Sequence, residues 1–321
     1  MEKKSILFKS VLCAFILFSC IGAIQLLDKN TESTTKLNKV TDNKEKDVKA
    51  FLEENVDESF GFGIKEKDAL TPLNITYRSR NGHFSPVVTL TNLYKNKQTY
   101  RIFALVNFEQ EFIKSNNTKK KFIDVTVDPS KEESLDLQID LKNNSNEVIF
   151  LVLRDPDYIP KDTESFGAGG NAIAYRALVE VDNKLNPYKA KAESIVTVNS
   201  KIKEAGFILF SNKYPTDFVK EQKRKFNLHT VSSFFVSLPV QANTSNGFIF
   251  LDSKGVCSNP YFYKSKEDGM ASMKIESKEL TCSKGSMVLN VPNPFKEIEN
   301  NDGQLIDGMN IALSDRINFK D

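Results

Sequence analysis

Apolar side chains recur at every second position along much of this chain. In Ser134–Leu141, "SLDLQIDL", Leu135, Leu137, Ile139 and Leu141 fall on one side, and Asp136, Gln138 and Asp140 on the other. That alternation predicts a strand with one face in the core and one in water. "RIFALVNF" aligns Ile102, Ala104, Val106 and Phe108 in the same way, and "FIDVTV" aligns Ile123, Val125 and Val127. "VVTL", "VIFLVL" and "AIAYRALVEV" predict further strands. A second set runs to the carboxyl end: "GFILF", "SFFVSLPV", "GFIFLD", "MASMKIES" and "MVLNV". Turn formers lie between the runs, as in "YKNK", "KSNNTKK", "DPSKEE" and "KNNSN". No long amphipathic helix intervenes, so strands alternating with crossover helices are not expected. The pattern predicts an all-β protein, an antiparallel β-sandwich of Ig-like or related type, built as one large or two smaller sandwich domains.

The amino-terminal segment follows a different rule. "MEKKSILFKS" supplies Lys3, Lys4 and Lys9, and Val11–Leu27 is then almost wholly apolar. Secretory signals carry an apolar core of roughly 7–15 residues and a membrane-spanning helix needs about 20, so this run sits between the two. The basic flank predicts that the chain beyond it lies outside the cytoplasm. Three fates compete: a signal anchor, a signal cleaved after Gly22 or Ala23, and a lipid-modified Cys20. Leu17-Phe18-Ser19-Cys20 resembles the lipobox of bacterial lipoproteins, in which a small residue precedes the lipidated cysteine. Phe18 and the apolar residues after Cys20 depart from that pattern.

Asp28–Lys49 is Lys, Asn, Thr and Glu with scarcely an apolar side chain. It cannot bury enough surface to offset ordering entropy and is expected to act as a flexible tether. A short helix is predicted near Asp47–Asn55, where Val48, Phe51 and Leu52 share a face. The expected organisation is a leader over residues 1–27, a polar tether over 28–56, a first β-sandwich domain over 57–200 and a second β-rich domain over 201–321. "ESIVTVNS" inside the join also reads as a strand, so the halves could share one sheet system.

Composition narrows the function classes. The 321 residues are 40% hydrophobic and 27% charged with a net charge of +2, so the whole-chain field does not advertise nucleic-acid binding. Lys far outnumbers Arg, which argues against phosphate recognition by guanidinium forks. His83 and His229 are the only histidines, which excludes sites needing several imidazoles. No metal cluster and no cofactor is expected.

Cys257 and Cys282 are the only cysteines beyond the leader, and outside the cytoplasm that pair invites a disulfide. "DPDYIPKDTE" offers Asp155, Asp157, Asp162 and Glu164 as weak calcium candidates, but Pro156 and Pro160 break any EF-hand pattern, and solvated turns are the better reading. "FGAGGNA" lacks the dinucleotide and P-loop spacings and reads as a loop before a strand. Ser200-Lys201-Ile202-Lys203 matches the S-x-x-K spacing of penicillin-recognising enzymes, yet its flanks are strand-like and no K-T-G triplet follows. His83 and His229 read as ordinary turn or boundary residues.

Two basic runs stand out: Lys119, Lys120 and Lys121, and Lys220, Lys223, Arg224 and Lys225. Such runs are usually solvated faces; on an outer surface they would also suit anionic lipid or envelope polymers. Tyr214, Tyr261, Phe262 and Tyr263 form either a recognition patch at a sandwich end or plugs of the core.

The sequence therefore predicts an exported, membrane-associated, non-catalytic binding or interaction module at the outer face of the cytoplasmic membrane, its partners being the membrane and an envelope polymer or protein. A cell-envelope assembly or chaperone-like component is one alternative, and would present an open sheet edge or apolar patch. A carbohydrate- or wall-acting hydrolase is another, and would pair two carboxylates across a groove.

Overall fold

Among the described residues, most of the alternating runs fold into strands. The computed structural model describes residues 59–66, 76–79, 81–141, 147–158, 172–181, 194–196, 198–199, 208–215, 225–227, 230–295, 311–314 and 316–320. The leader, the tether, the helix expected near Asp47–Asn55, Cys20, Asp162, the Gly-rich loop through Asn171, Ser200–Lys203, Lys220–Arg224 and His229 lie outside the described residues.

The first half holds β1 (Phe60–Glu66), β2 (Thr76–Arg78), β3 (His83–Phe84), β4 (Pro86–Asn92), β5 (Gln98–Val106), β6 (Glu109–Glu111), β7 (Ile113–Ser115), β8 (Thr118–Lys120), β9 (Ile123–Val127), β10 (Lys131–Asp136), β11 (Gln138–Asp140), β12 (Glu147–Arg154) and β13 (Ala172–Glu180). Then come β14 (Ser194–Val196), β15 (Val198–Asn199), β16 (Leu209–Ser211), β17 (Lys225–Asn227), β18 (Ser233–Val240), β19 (Ser245–Asp252), β20 (Gly255–Val256), β21 (Tyr261–Ser265), β22 (Gly269–Glu276), β23 (Lys284–Pro292), β24 (Ala312–Leu313) and β25 (Ile317–Lys320). A single 3-10 turn, Ser277–Glu279, is the one helical element among the described residues.

Pairing is antiparallel through the sheet interiors. The sheet orders are β1-β4-β10, β3-β11-β7-β8, β2-β13-β12-β5-β6 with β9 on β5, β14-β21-β19-β23-β25-β17 with β20 on β19 and β24 on β23, and β15-β22-β18-β16. Three edges add parallel pairs to these antiparallel sheets: β2 with β13, β14 with β21 and β17 with β25. Each incoming strand is short and adds to a sheet that the antiparallel ladders already hold.

"SLDLQIDL" is not one strand. Its first part belongs to β10, which pairs β4, and its second is β11, which pairs β3 and β7. The partner run breaks at the same level, because Pro86 has no N–H for the ladder. Leu137 N donates instead to the Pro86 carbonyl at 3.0 Å, and both strands pass together from one sheet to the next. The apolar face survives: Leu137 and Ile139 are buried in the same core, with Leu135 and Leu141 packed against it.

Three cores stack through the body, residues 60–321, which forms one compact unit. The first lies under β1, β4, β3, β7 and β11 and includes Ile64, Val88, Leu90, Phe84, Ile113 and Ile139. It is closed by one face of the six-stranded sheet, with Ile102, Ala104, Val106, Val148, Phe150 and Val152. The opposite face of that sheet carries Phe103, Leu105, Ile149, Leu151 and Leu153, packed against Ile249, Leu251, Met287, Leu289 and Val291 of the second half. A third core joins Phe248, Phe250, Val288 and Phe319 to Phe210, Phe234, Val236, Leu238 and Ile275. The two middle sheets are thus buried on both faces, which is why "VIFLVL" and "GFIFLD" run apolar without alternating. β14 and β15 pair with strands of the second half, β21 and β22.

Candidate functional site

The hairpin β7–β8 follows from "SNNT". Asn116 and Asn117 both adopt positive φ, 47° and 62°, and Ser115 pairs directly with Thr118. Asparagine tolerates that conformation, and two such residues make the tight turn whose twist suits a hairpin. In the register, Ile139 sits opposite both Phe84 and Ile113, all three buried. The neighbouring positions His83, Asp140, Phe112, Lys114 and Lys119 therefore belong to the opposite, outward face.

On that face the contacts form a chain. His83 Nδ1 is 2.9 Å from Asp140 Oδ1, and Lys119 Nζ is 2.8 Å from Asp140 Oδ2. The Lys119 ammonium lies over the Phe112 ring, 5.6 Å from its centre, within cation–π range. Phe112 is 42% exposed, although aromatic rings of its size are otherwise mostly packed away here. The hydrogen bond from Lys119, and secondarily His83, holds the Asp140 carboxyl below the usual aspartate range. Lys114 lies directly opposite Lys119 on this face, whereas Lys120 lies opposite Ile113 on the other; both, and Lys121, are exposed. A carboxylate beside an imidazole can orient a general base. Here, however, the other carboxylate oxygen holds an ammonium, and the imidazole meets no hydroxyl or thiol among the described residues. The arrangement fixes a cation above an exposed ring; it does not assemble a nucleophile.

Cys257 and Cys282 are bonded, with Cα atoms 4.8 Å apart and both residues buried. Asp252 organises the adjoining turn: its Oδ1 accepts from Lys254 N and Gly255 N, and its Oδ2 accepts from Ser283 N and Ser283 Oγ.

The calcium candidates meet guanidinium groups. Asp157 lies 3.6 Å from Arg101 Nη1 and Asp155 lies 3.7 Å from Arg154 Nε. Arg316 takes up the nearby main chain, donating to the carbonyls of Arg154, Asp155, Pro156 and Tyr158. No group of three or more metal-ligating side chains occurs among the described residues.

The aromatic residues separate into core and surface. Tyr263 is fully buried and donates to Asn290 Oδ1 at 3.1 Å, Tyr261 stacks on Phe248 at 4.7 Å, and Phe262 packs edge-on against Phe108 at 5.3 Å. They plug the core and form no patch. Tyr214 remains 43% exposed, edge-on to Phe235.

The sequence reading missed the polar groups that join the two halves. Glu147 and Arg176 are 0% and 3% exposed and 3.0 Å apart. Arg176 also donates to the Asn293 carbonyl, and Glu147 Oε2 accepts from Phe295 N. Desolvation is the largest influence on Glu147 and pushes its carboxyl up, against the opposing pull of Arg176. Arg101 grips Asp124 through both carboxylate oxygens and donates to the Ser253 carbonyl at 2.6 Å. Gln110 accepts from Val256 N and donates to the Lys121 carbonyl. One signal was present: Arg176 stands inside the apolar run "AIAYRALVEV", where a charge requires a partner.

No family model matches the chain, and no curated protein matches it. Solved structures align only weakly. The CARDB domain of the PF1109 protein from Pyrococcus furiosus is 15% identical, covering 39% of this chain and 94% of its own, with a TM-score of 0.24. The YadV chaperone is 12% identical over 80% of this chain and 99% of its own, at 0.23. Red sea bream transglutaminase is 10% identical over 86% of this chain and 34% of its own, also at 0.23. Scores of that size assign no partner or activity to this chain.

Proposed function

We propose that this chain is an exported protein held at the outer face of a cytoplasmic membrane, and that its body is a pair of Ig-like antiparallel sandwiches joined back to back, acting as a non-catalytic interaction module. The observation that carries the reading is the buried Cys257–Cys282 bridge. Disulfides persist in oxidising compartments and are rare in a reducing cytosol. The basic start and apolar run of Met1–Leu27 supply the route out. The interaction role rests on the outward cluster of His83, Asp140, Lys119 and Phe112, which offers a surface and no reacting group.

Fractionation of cells making the native chain, followed by intact mass and alkylation without reductant, tests the location. The expected result is recovery in the membrane or extracytoplasmic fraction with Cys257 and Cys282 resistant to alkylation. A full-mass chain indicates the anchor, a mass beginning at lipidated Cys20 the lipoprotein, and a mass beginning near Ala23 or Ile24 the cleaved signal. Recovery in the cytosol with both thiols alkylated overturns the reading.

A further inference from the structure

We propose that the outward face of the β7–β8 hairpin docks on an anionic phospholipid bilayer, with Phe112 entering the headgroup layer, Lys114 and Lys119 facing lipid phosphates, and the exposed Lys120 and Lys121 adding positive charge beside them. The inference rests on the proposed residence at a membrane and names the partner of the candidate surface. Two independent observations meet there. The first is charge: residues 112–121 contain four lysines and no acidic residue, and the two-residue turn Asn116–Asn117 joins the strands that carry Lys114, Lys119 and Lys120. The second is the ring: Phe112 is 42% exposed on the same face, under the Lys119 ammonium.

A soluble polyanion would satisfy the lysines but gains nothing from an exposed phenyl ring. A bilayer surface satisfies both, because aromatic rings settle at the headgroup level while lysines reach the phosphates above. Asp140 is bonded to Lys119 and holds it beside the ring. Lysines on the outer strand of a sheet also discourage pairing with another strand. That role explains Lys119 and Lys120 on β8, but it does not explain an exposed Phe112, which strand protection would exclude.

The test uses the full chain, reconstituted through its apolar leader into vesicles, with Phe112→Trp as the probe. The chain has no tryptophan of its own, so the emission reports position 112 alone. In vesicles containing phosphatidylglycerol the emission is expected to shift to the blue, relative to pure phosphatidylcholine, and to be quenched by brominated acyl chains. Both effects should vanish at about 1 M salt, where the screening length is about 3 Å. They should also vanish when Lys114→Gln, Lys120→Gln and Lys121→Gln are combined with the probe; neutral side chains there offer Lys119 no carboxylate to compete with Asp140. A Tyr214→Trp chain, probing an exposed aromatic elsewhere, should emit identically in the two vesicle types.

Emission at position 112 that is the same in both vesicle types overturns the proposal. So does an equal shift on adding polyphosphate to phosphatidylcholine vesicles, which would assign the lysines to a soluble polyanion. Failure of the location appears separately, in the cellular fractionation and thiol state, and leaves the vesicle measurement readable in either case.

Discussion

Tyr263 carries its hydroxyl into the core between the second set of sheets, where Asn290 accepts it. Burial pushes its ionisation far above the ordinary tyrosine value, and burial does the same to Tyr100 and Tyr261. A group whose pKa is raised by folding contributes stability that is complete below its unfolded value and is lost as pH climbs towards the folded one. The unfolded value for tyrosine is about 10. Denaturant unfolding should therefore show stability falling from about pH 10 upward, and Tyr263→Phe should flatten that fall while leaving Asn290 without its donor at neutral pH. A stability that is level between pH 9 and 11 would contradict these burials. At Glu147 the consequence is different. Removing its charge with Glu147→Gln leaves Arg176 buried beside a neutral amide, with an expected cost of about 3 kcal/mol in unfolding free energy. Replacing both with leucine should recover most of that loss.

At the scale of single elements, the turn between β19 and β20 is fastened from both halves. Gly255 has φ of +129°, and an added Cβ would lie 1.8 Å from Gln110 Oε1. Gln110 has little freedom to withdraw, since it accepts from Val256 N and donates to the Lys121 carbonyl. Gly255→Ala should therefore cost about 1–3 kcal/mol in denaturant unfolding, from backbone strain and the displaced amide together. The nearby Cys257–Cys282 bridge spans 25 positions, and its reduction should cost about 3–4 kcal/mol on the chain-entropy account. A reduced protein with an unchanged urea midpoint would show that the bridge constrains nothing the cores do not already hold.

For the whole body, the decisive feature is the middle core. Ile149 and Leu151 from the first half, and Leu289 and Val291 from the second, bury against one another between two sheets. Neither half can unfold without exposing the other's apolar face. Urea unfolding should proceed in one transition by both far-ultraviolet dichroism and tyrosine fluorescence, and Leu289→Ala should lower the single midpoint by an amount equivalent to about 2–5 kcal/mol. Two resolved transitions would mean that the halves hold together only through their polar clasps, such as Arg101 on Ser253 and Arg316 on the Asp155–Tyr158 main chain.

Period-two patterning alone determined that this chain is a β protein, because a strand sends successive side chains to opposite faces whatever surrounds it. That local rule made "RIFALV", "FIDVTV" and "SFFVSLPV" readable as strands, but not the place of Phe108, which leaves β5 at positive φ and packs in the middle core instead of with Ile102, Ala104 and Val106; the asparagines made "SNNT" readable as a turn. It did not determine which strand pairs with which. "SLDLQIDL" kept its apolar side yet divided between two sheets, because Pro86 on the partner run, distant in sequence, interrupts the ladder. Only the tertiary structure decided that the two middle sheets lie back to back, which turned "VIFLVL" into a run buried on both sides and made Arg176 and Glu147 partners. The same is true of the outward cluster: its lysines were visible as a run, but the exposure of Phe112 and the grip of Asp140 on Lys119 depend on a register set by backbone hydrogen bonds between strands far apart in the chain.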